Sequence, residues 1–128
     1  MNQKAGAVIF AKNPKLVTAF YRELFSMDET HAEPGLIVLE SESLQIIIHG
    51  LPKHIAESIN IVTPPEPRDD TAIKLVFPVV GISDVRKRAL ALGGSVKDES
   101  NEFVARGFRA CDGIDPEGNV IQFREDAD

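Results

Sequence analysis

The residues of this chain whose types could do chemistry are three histidines, one cysteine, a lysine and a few amides. Imidazoles bind divalent metals and pass protons near neutral pH. His31, His49 and His54 are the only ones, and the five-residue step from His49 to His54 matches no common ligand spacing. His31 lies in "DETHAEPG", read as a loop, and His54 in "LPKHIAES"; both read as surface histidines. His49 closes the apolar run "QIIIHG", which places it at the end of a strand and makes it the acid–base candidate. Cys111 is the single cysteine, so no internal disulfide forms and a reducing, cytoplasmic compartment is expected. Its run "FRACDG" is strand-like with no histidine near it, which reads as a packed thiol rather than a nucleophile.

Lys74 and Gln122 need the strands around them before they can be read. In "IKLVFPVV" the alternation puts Leu75, Phe77 and Val79 on one apolar side, expected to pack under a helix. Lys74, Val76 and Pro78 take the other side, where a lysine needs water, a counter-charge or a ligand. Gln122 sits in the middle of the strand "NVIQFRE", after the turn "DPEGN".

The strand holding Lys74 has a counterpart. "AVIFAKNPKLVTAFYRELF" runs from a strand into a helix, with Asn13 as cap, Pro14 in the first turn, and Val17, Phe20 and Leu24 as the buried stripe. A shift of 68 residues lays Val8 on Val76, Ile9 on Phe77, Val17 on Val85 and Leu24 on Leu92. The second helix is expected to be capped by Ser83 and stopped by Gly93. Shorter strands follow each pair: "GLIVLES", "SLQIIIHG" and "SINIV" in the first half, "GSVKD", "FVARGFRACDG" and "NVIQFRE" in the second. The chain therefore reads as α+β, with two βαβββ modules. Module 1 covers about 5–62, a proline-rich linker 63–71, and module 2 about 72–126. In the first strand Ala7, Ile9 and Ala11 share one side; Gly6, Val8 and Phe10 share the other.

Bulk properties set the limits. A chain of 128 residues with 43% hydrophobic residues fits one domain with its own core. A net charge of −6 argues against nucleic-acid binding, which wants a basic stripe. No run of eighteen apolar residues exists, so no membrane helix is expected. The opening "MNQKAGAVIFAKNPK" has no long apolar run before Lys12, so no secretory leader is expected either.

Taken in order, "AFYRELF", "IKLVFPVVGISDVRKRALALGG" and the closing "DGIDPEGNVIQFRE" resemble the vicinal oxygen chelate superfamily of glyoxalase I, extradiol dioxygenases and the bleomycin- and fosfomycin-resistance proteins. The resemblance spans nearly the whole chain. It implies two βαβββ modules whose sheets curl into an open central cleft, the glyoxalase/bleomycin-resistance fold. Metal-dependent members hold a divalent ion there with one ligand on the first and one on the last strand of each module. Carried over, those positions are Gly6, Lys74, Asn60 in "ESINIVTP" and Gln122.

That set suits a metal poorly. Glycine offers no side chain, an ammonium repels a cation, and two neutral amides are weak donors beside it. The expectation is therefore no cofactor and no metal. A small organic ligand with an anionic or polar group would be held by Lys74, Asn60 and Gln122. Val8, Phe10, Val76 and His49 would complete the ligand-binding surface. The alternative is a lyase, isomerase or dioxygenase-like enzyme using Lys74 and His49, or a metal site of another kind. The resemblance also implies a homodimer.

Overall fold

The computed structural model describes residues 3–127. Its contacts divide the chain into two units, Met1–Asn60 and Ile61–Asp128. Among the described residues no helix is long and apolar enough to cross a membrane.

In the first unit, strand β1 (Gly6–Ala11) leads into helix α1 (Pro14–Phe25), and strands β2 (Asp28–Glu33), β3 (Leu36–Glu40) and β4 (Gln45–Gly50) follow. The sheet order is β1-β4-β3-β2, with β1 and β4 parallel and the other neighbours antiparallel. Helix α1 starts as its sequence demands: the Asn13 side chain accepts from the Leu16 amide, and Pro14 needs no donor in the first turn. Val17, Phe20, Tyr21 and Leu24 recur at helical spacing and are buried against the sheet. Ser26 ends the helix in the left-handed region, φ +51°. Ala11 is fully buried under the helix, while Val8 and Phe10 alternate outward with 51% and 58% exposure.

Two expectations for this unit are corrected. "DETHAE", read as a loop around His31, is strand β2, an edge strand whose six residues are all exposed. It has no apolar alternation to reveal it; charged side chains and an irregularity between Glu29 and His31 protect a solvent-facing edge. Conversely, "SINIV" is not a strand. After β4 the chain makes the short helix α2 (Lys53–Ala56) and then runs irregularly through Asn60. The last strand of the module is β4, because "QIIIHG" pairs on both sides, with β1 and with β3.

In the second unit, β5 (Leu75–Pro78) leads into α3 (Ile82–Ala91). Strands β6 (Ser95–Val96), β7 (Phe103–Ala105), β8 (Phe108–Ile114) and β9 (Val120–Asp126) follow. The path is β5-β9-β8-β6, with β7 also on β8 and β5 parallel to β9. Phe77, Ile121, Phe123 and Cys111 are buried together with Ile82, Val85 and Ala89 of α3. Ser83 does not cap α3. Gly81 occupies the cap position without a side-chain bond, and the Ile82 amide donates instead to Glu125 Oε1, 2.9 Å away on β9. A carboxylate at that end also meets the positive pole of the helix. The far end behaves as read: Gly93 has φ +92° and the Gly94 amide returns to the Ala89 carbonyl.

The hairpin joining β8 to β9 is built on Asp115. Its fully buried carboxylate accepts from the amides of Glu117 and Asn119 and from the Asn119 side chain. Gly118 adopts φ +84°. The turn fixes the register that sets Asp112 opposite Gln122.

Candidate functional site

The face of the second sheet turned away from α3 carries a chain of polar contacts. Val76, Gln122 and Asp112 lie side by side in register across β5, β9 and β8. Lys74, one residue before β5, places its Nζ 2.8 Å from Asp112 Oδ2. Gln122 Nε2 donates to Asp112 Oδ1 at 3.1 Å, and Gln122 Oε1 accepts from Arg124 Nε at 2.7 Å. Both oxygens of Asp112 and both ends of Gln122 are therefore engaged within the protein. Gln122 is buried, 5% exposed, and the network satisfies it as a buried amide requires. Arg124 goes on to stack over the Phe108 ring, its Cζ 4.1 Å from the centroid. Arg106 approaches the same ring at 5.0 Å.

Asp112, Arg124, Phe108 and Arg106 were not among the residues singled out from sequence. A usable signal was present for Asp112. Once Asp115 and Asn119 close a tight turn, counting back along the ladder sets Asp112 against Gln122. Asp112 is the counter-charge that a lysine on this face calls for. Lys74, Val76 and Gln122 lie together on this face, and Val76 is 41% exposed beside them.

The first unit assembles its own group. Phe10 and His49 pair directly across β1 and β4, with ring centroids 5.5 Å apart. Val8 is two residues away on the same outward face, opposite Ile47. His49 Nδ1 is 3.1 Å from the Gly50 carbonyl, and no carboxylate partners it among the described residues. His31 pairs with Glu33 at 3.1 Å on the exposed edge strand. Asn60 stands outside any strand and is exposed. The ladder positions equivalent to Gln122 and Asp112 are Ile47 and Val38 in this unit, both apolar.

The position of Gly6 explains its residue type. A Cβ added there would stand 2.0 Å from the Gln45 carbonyl oxygen. No side chain, and so no ligating one, fits without moving β4. Gly6, Lys74 and Gln122 offer neither imidazole nor carboxylate, and Asp112 already accepts from two donors. Those residues do not fit a divalent metal. Among the described residues no three of His, Cys, Asp or Glu gather as a metal-binding group.

Cys111 is buried, its Sγ donating to the Lys97 carbonyl at 3.4 Å and accepting from Arg86 Nη2 at 3.7 Å. Burial pushes the thiol above its ordinary pKa, and the Arg86 contact only partly offsets it. It is a packed thiol.

No family model matches the sequence, and no curated protein does. Solved structures do. One is a glyoxalase/bleomycin resistance protein/dioxygenase family enzyme from Burkholderia phytofirmans PsJN, at TM-score 0.72 and 18% identity over 96% of this chain and 98% of that one. Another is the genomically encoded fosfomycin resistance protein FosX from Listeria monocytogenes, at 0.67 and 16% over 99% and 95%. A lactoylglutathione lyase from Agrobacterium tumefaciens gives 0.59 and 19% over 98% and 94%. At these identities the likeness is one of fold. The chain has the α+β glyoxalase/bleomycin-resistance fold, as the resemblance in its sequence implied.

Proposed function

We propose that this chain binds a small organic molecule without a divalent metal, on the open face of its second sheet. The observation that carries the reading is the Lys74–Asp112 contact. Where metal-dependent relatives of this fold would carry a ligand, Lys74 supplies an ammonium, and Asp112 and Gln122 hold it in place. Cation and carboxylate together form a fixed polar end beside exposed Val76, which is the usual makeup of a site that orients a small ligand. Lys74 keeps two donors beyond the Asp112 contact. In the first unit, Val8, Phe10 and His49 offer an apolar, aromatic surface of the kind that takes a flat ring.

A Schiff-base enzyme finds less support, because the Lys74 amine is engaged as a donor to a carboxylate rather than presented as a free nucleophile. Likewise His49 has no carboxylate to set its proton. A homodimer is the assembly that the sequence resemblance suggests.

The test is a thermal-shift screen of small organic compounds on untagged protein, before and after chelation, beside elemental analysis. Expected are stabilising compounds whose effect survives chelation and shrinks in Lys74→Gln. About one transition-metal ion per chain, together with compounds that act only when it is present, would overturn the metal-free reading.

A further inference from the structure

Five of the seven arginines stand within 4.0 Å of a carboxylate: Arg22, Arg68, Arg86, Arg88 and Arg109. The two that do not, among the described residues, are Arg106 and Arg124, and these are the two that share the Phe108 ring. Their guanidinium carbons lie within about 9 Å of each other, since both are measured to one centroid. Two like charges gathered on one ring, with no counter-ion among the described residues, repel each other in the absence of an anion.

The backbone at Arg106 adds an independent observation. Ala105 and Phe108 pair across β7 and β8, so Arg106 and Gly107 are the two residues of a tight hairpin loop. Both have positive φ, +43° and +83°. Such loops favour Asn, Asp or Gly in the first position, because a larger side chain is disfavoured in the left-handed region. An arginine held there sets a local misfit against whatever its guanidinium does. Arg124 is fixed from the other side: Gln122 Oε1 takes its Nε and Phe108 supports its plane, and among the described residues no acceptor takes its Nη groups.

We infer that Arg106 and Arg124, seated on Phe108, form an oxyanion site that receives a carboxylate, sulfonate or phosphate group. This deepens the ligand-binding reading of the same sheet face, and rests on it for the group's place in a larger molecule. The charged end of the ligand is then taken by these arginines, not by Lys74, which Asp112 neutralises. Asp126 is opposite Phe108 in the ladder, an acidic position that opposes anion entry.

The experiment is a titration of the full chain at low salt with inorganic phosphate, and separately with acetate, followed by the arginine Nε–H NMR signals. Expected are saturable shifts at Arg106 and Arg124. Affinity should fall about fivefold or more in both Arg124→Gln and Arg106→Asn, and less than about twofold in Arg88→Gln on α3, across the sheet from this face. Arg106→Asn suits the hairpin better, so it should be at least as stable as the parent while binding less. Tighter binding of phosphate than of acetate assigns a dianionic group, and the reverse order a carboxylate. No saturable shift with either probe, unchanged binding in Arg106→Asn, or an equal loss in Arg88→Gln would overturn the inference. Any of these can occur while the compound screen still finds a metal-independent ligand, so the two readings fail separately.

Discussion

Asp112 Oδ2 accepts from Lys74 Nζ at 2.8 Å while its Oδ1 accepts from Gln122 at 3.1 Å, so one carboxylate binds a surface cation to a buried amide. The two partners are not equal. Lys74 keeps 37% of its side chain exposed and can turn to water. Gln122 cannot.

Removing Asp112 should therefore cost more than removing Lys74. Asp112→Ala leaves the Gln122 amide short of an acceptor, at about 1–3 kcal/mol. Lys74→Met leaves Asp112 still bonded to Gln122 and partly hydrated, at about 1 kcal/mol or less. Urea unfolding of both single variants and the double variant checks the order, and the cycle should return a coupling of about 0.5–1 kcal/mol. A larger loss in Lys74→Met would sink this account of the network.

Acid should weaken the first unit through Glu40. The Thr30 hydroxyl, 2.6 Å from Oε2, and then Lys4, 3.1 Å from Oε1, hold its carboxyl below the ordinary value of 4.5. A carboxylate whose pKa is depressed on folding contributes stability above its unfolded pKa and loses it as pH falls through the folded one. The expected result is a decline in stability as pH drops below 4.5, with a shallower decline in Glu40→Gln. Asp98, held down first by the Ser100 amide, has the same sense in the second unit, so the slope should not vanish. Identical slopes in parent and variant, measured as urea midpoint against pH, would remove Glu40 from the explanation.

How much of this was legible beforehand depended on whether the signal was local. Helix α1 could be read because its cap, its proline and its buried stripe all lie within thirteen residues of one another. The closing hairpin could be read because Asp115, Gly118 and Asn119 impose a turn by their own chemistry. Strand β2 could not, since an edge strand exposed on all six residues carries no alternation. Nor could the cap of α3, where Glu125 arrives from a strand more than forty residues along the chain and the local Ser83 is passed over. The candidate site divides the same way. Lys74 stood out because its strand neighbours are apolar, whereas Asn60 was misplaced by taking "SINIV" for the strand that β4 supplies. Arg106 and Arg124 carry no motif. Their relation exists only once β7, β8 and β9 bring them to one ring.

The segment 63–71, expected from sequence to be a linker, lies in the second unit and gives the last test, because it is fastened to the turn that carries β9. The Arg68 amide donates to the Gly118 carbonyl at 2.9 Å, and Arg68 Nε donates to the Glu117 carbonyl at 3.1 Å. A Cβ on Gly118 would stand 2.2 Å from the Glu66 carbonyl oxygen, in a backbone with φ +84°. Gly107 supplies the control: φ is +83°, yet nothing lies within 4 Å of its added Cβ. Alanine at either position meets the same left-handed backbone penalty of about 1 kcal/mol. Only at position 118 must it also push the linker away. Gly118→Ala should therefore lose about 1–2 kcal/mol more than Gly107→Ala in urea unfolding, because a tight backbone contact is broken along with its hydrogen bonds. Limited proteolysis within 63–71 should quicken in Gly118→Ala alone. Equal losses and equal cleavage in the two variants would mean that the linker's contact with the turn contributes nothing to holding β9, and with it Gln122 and Arg124, in place.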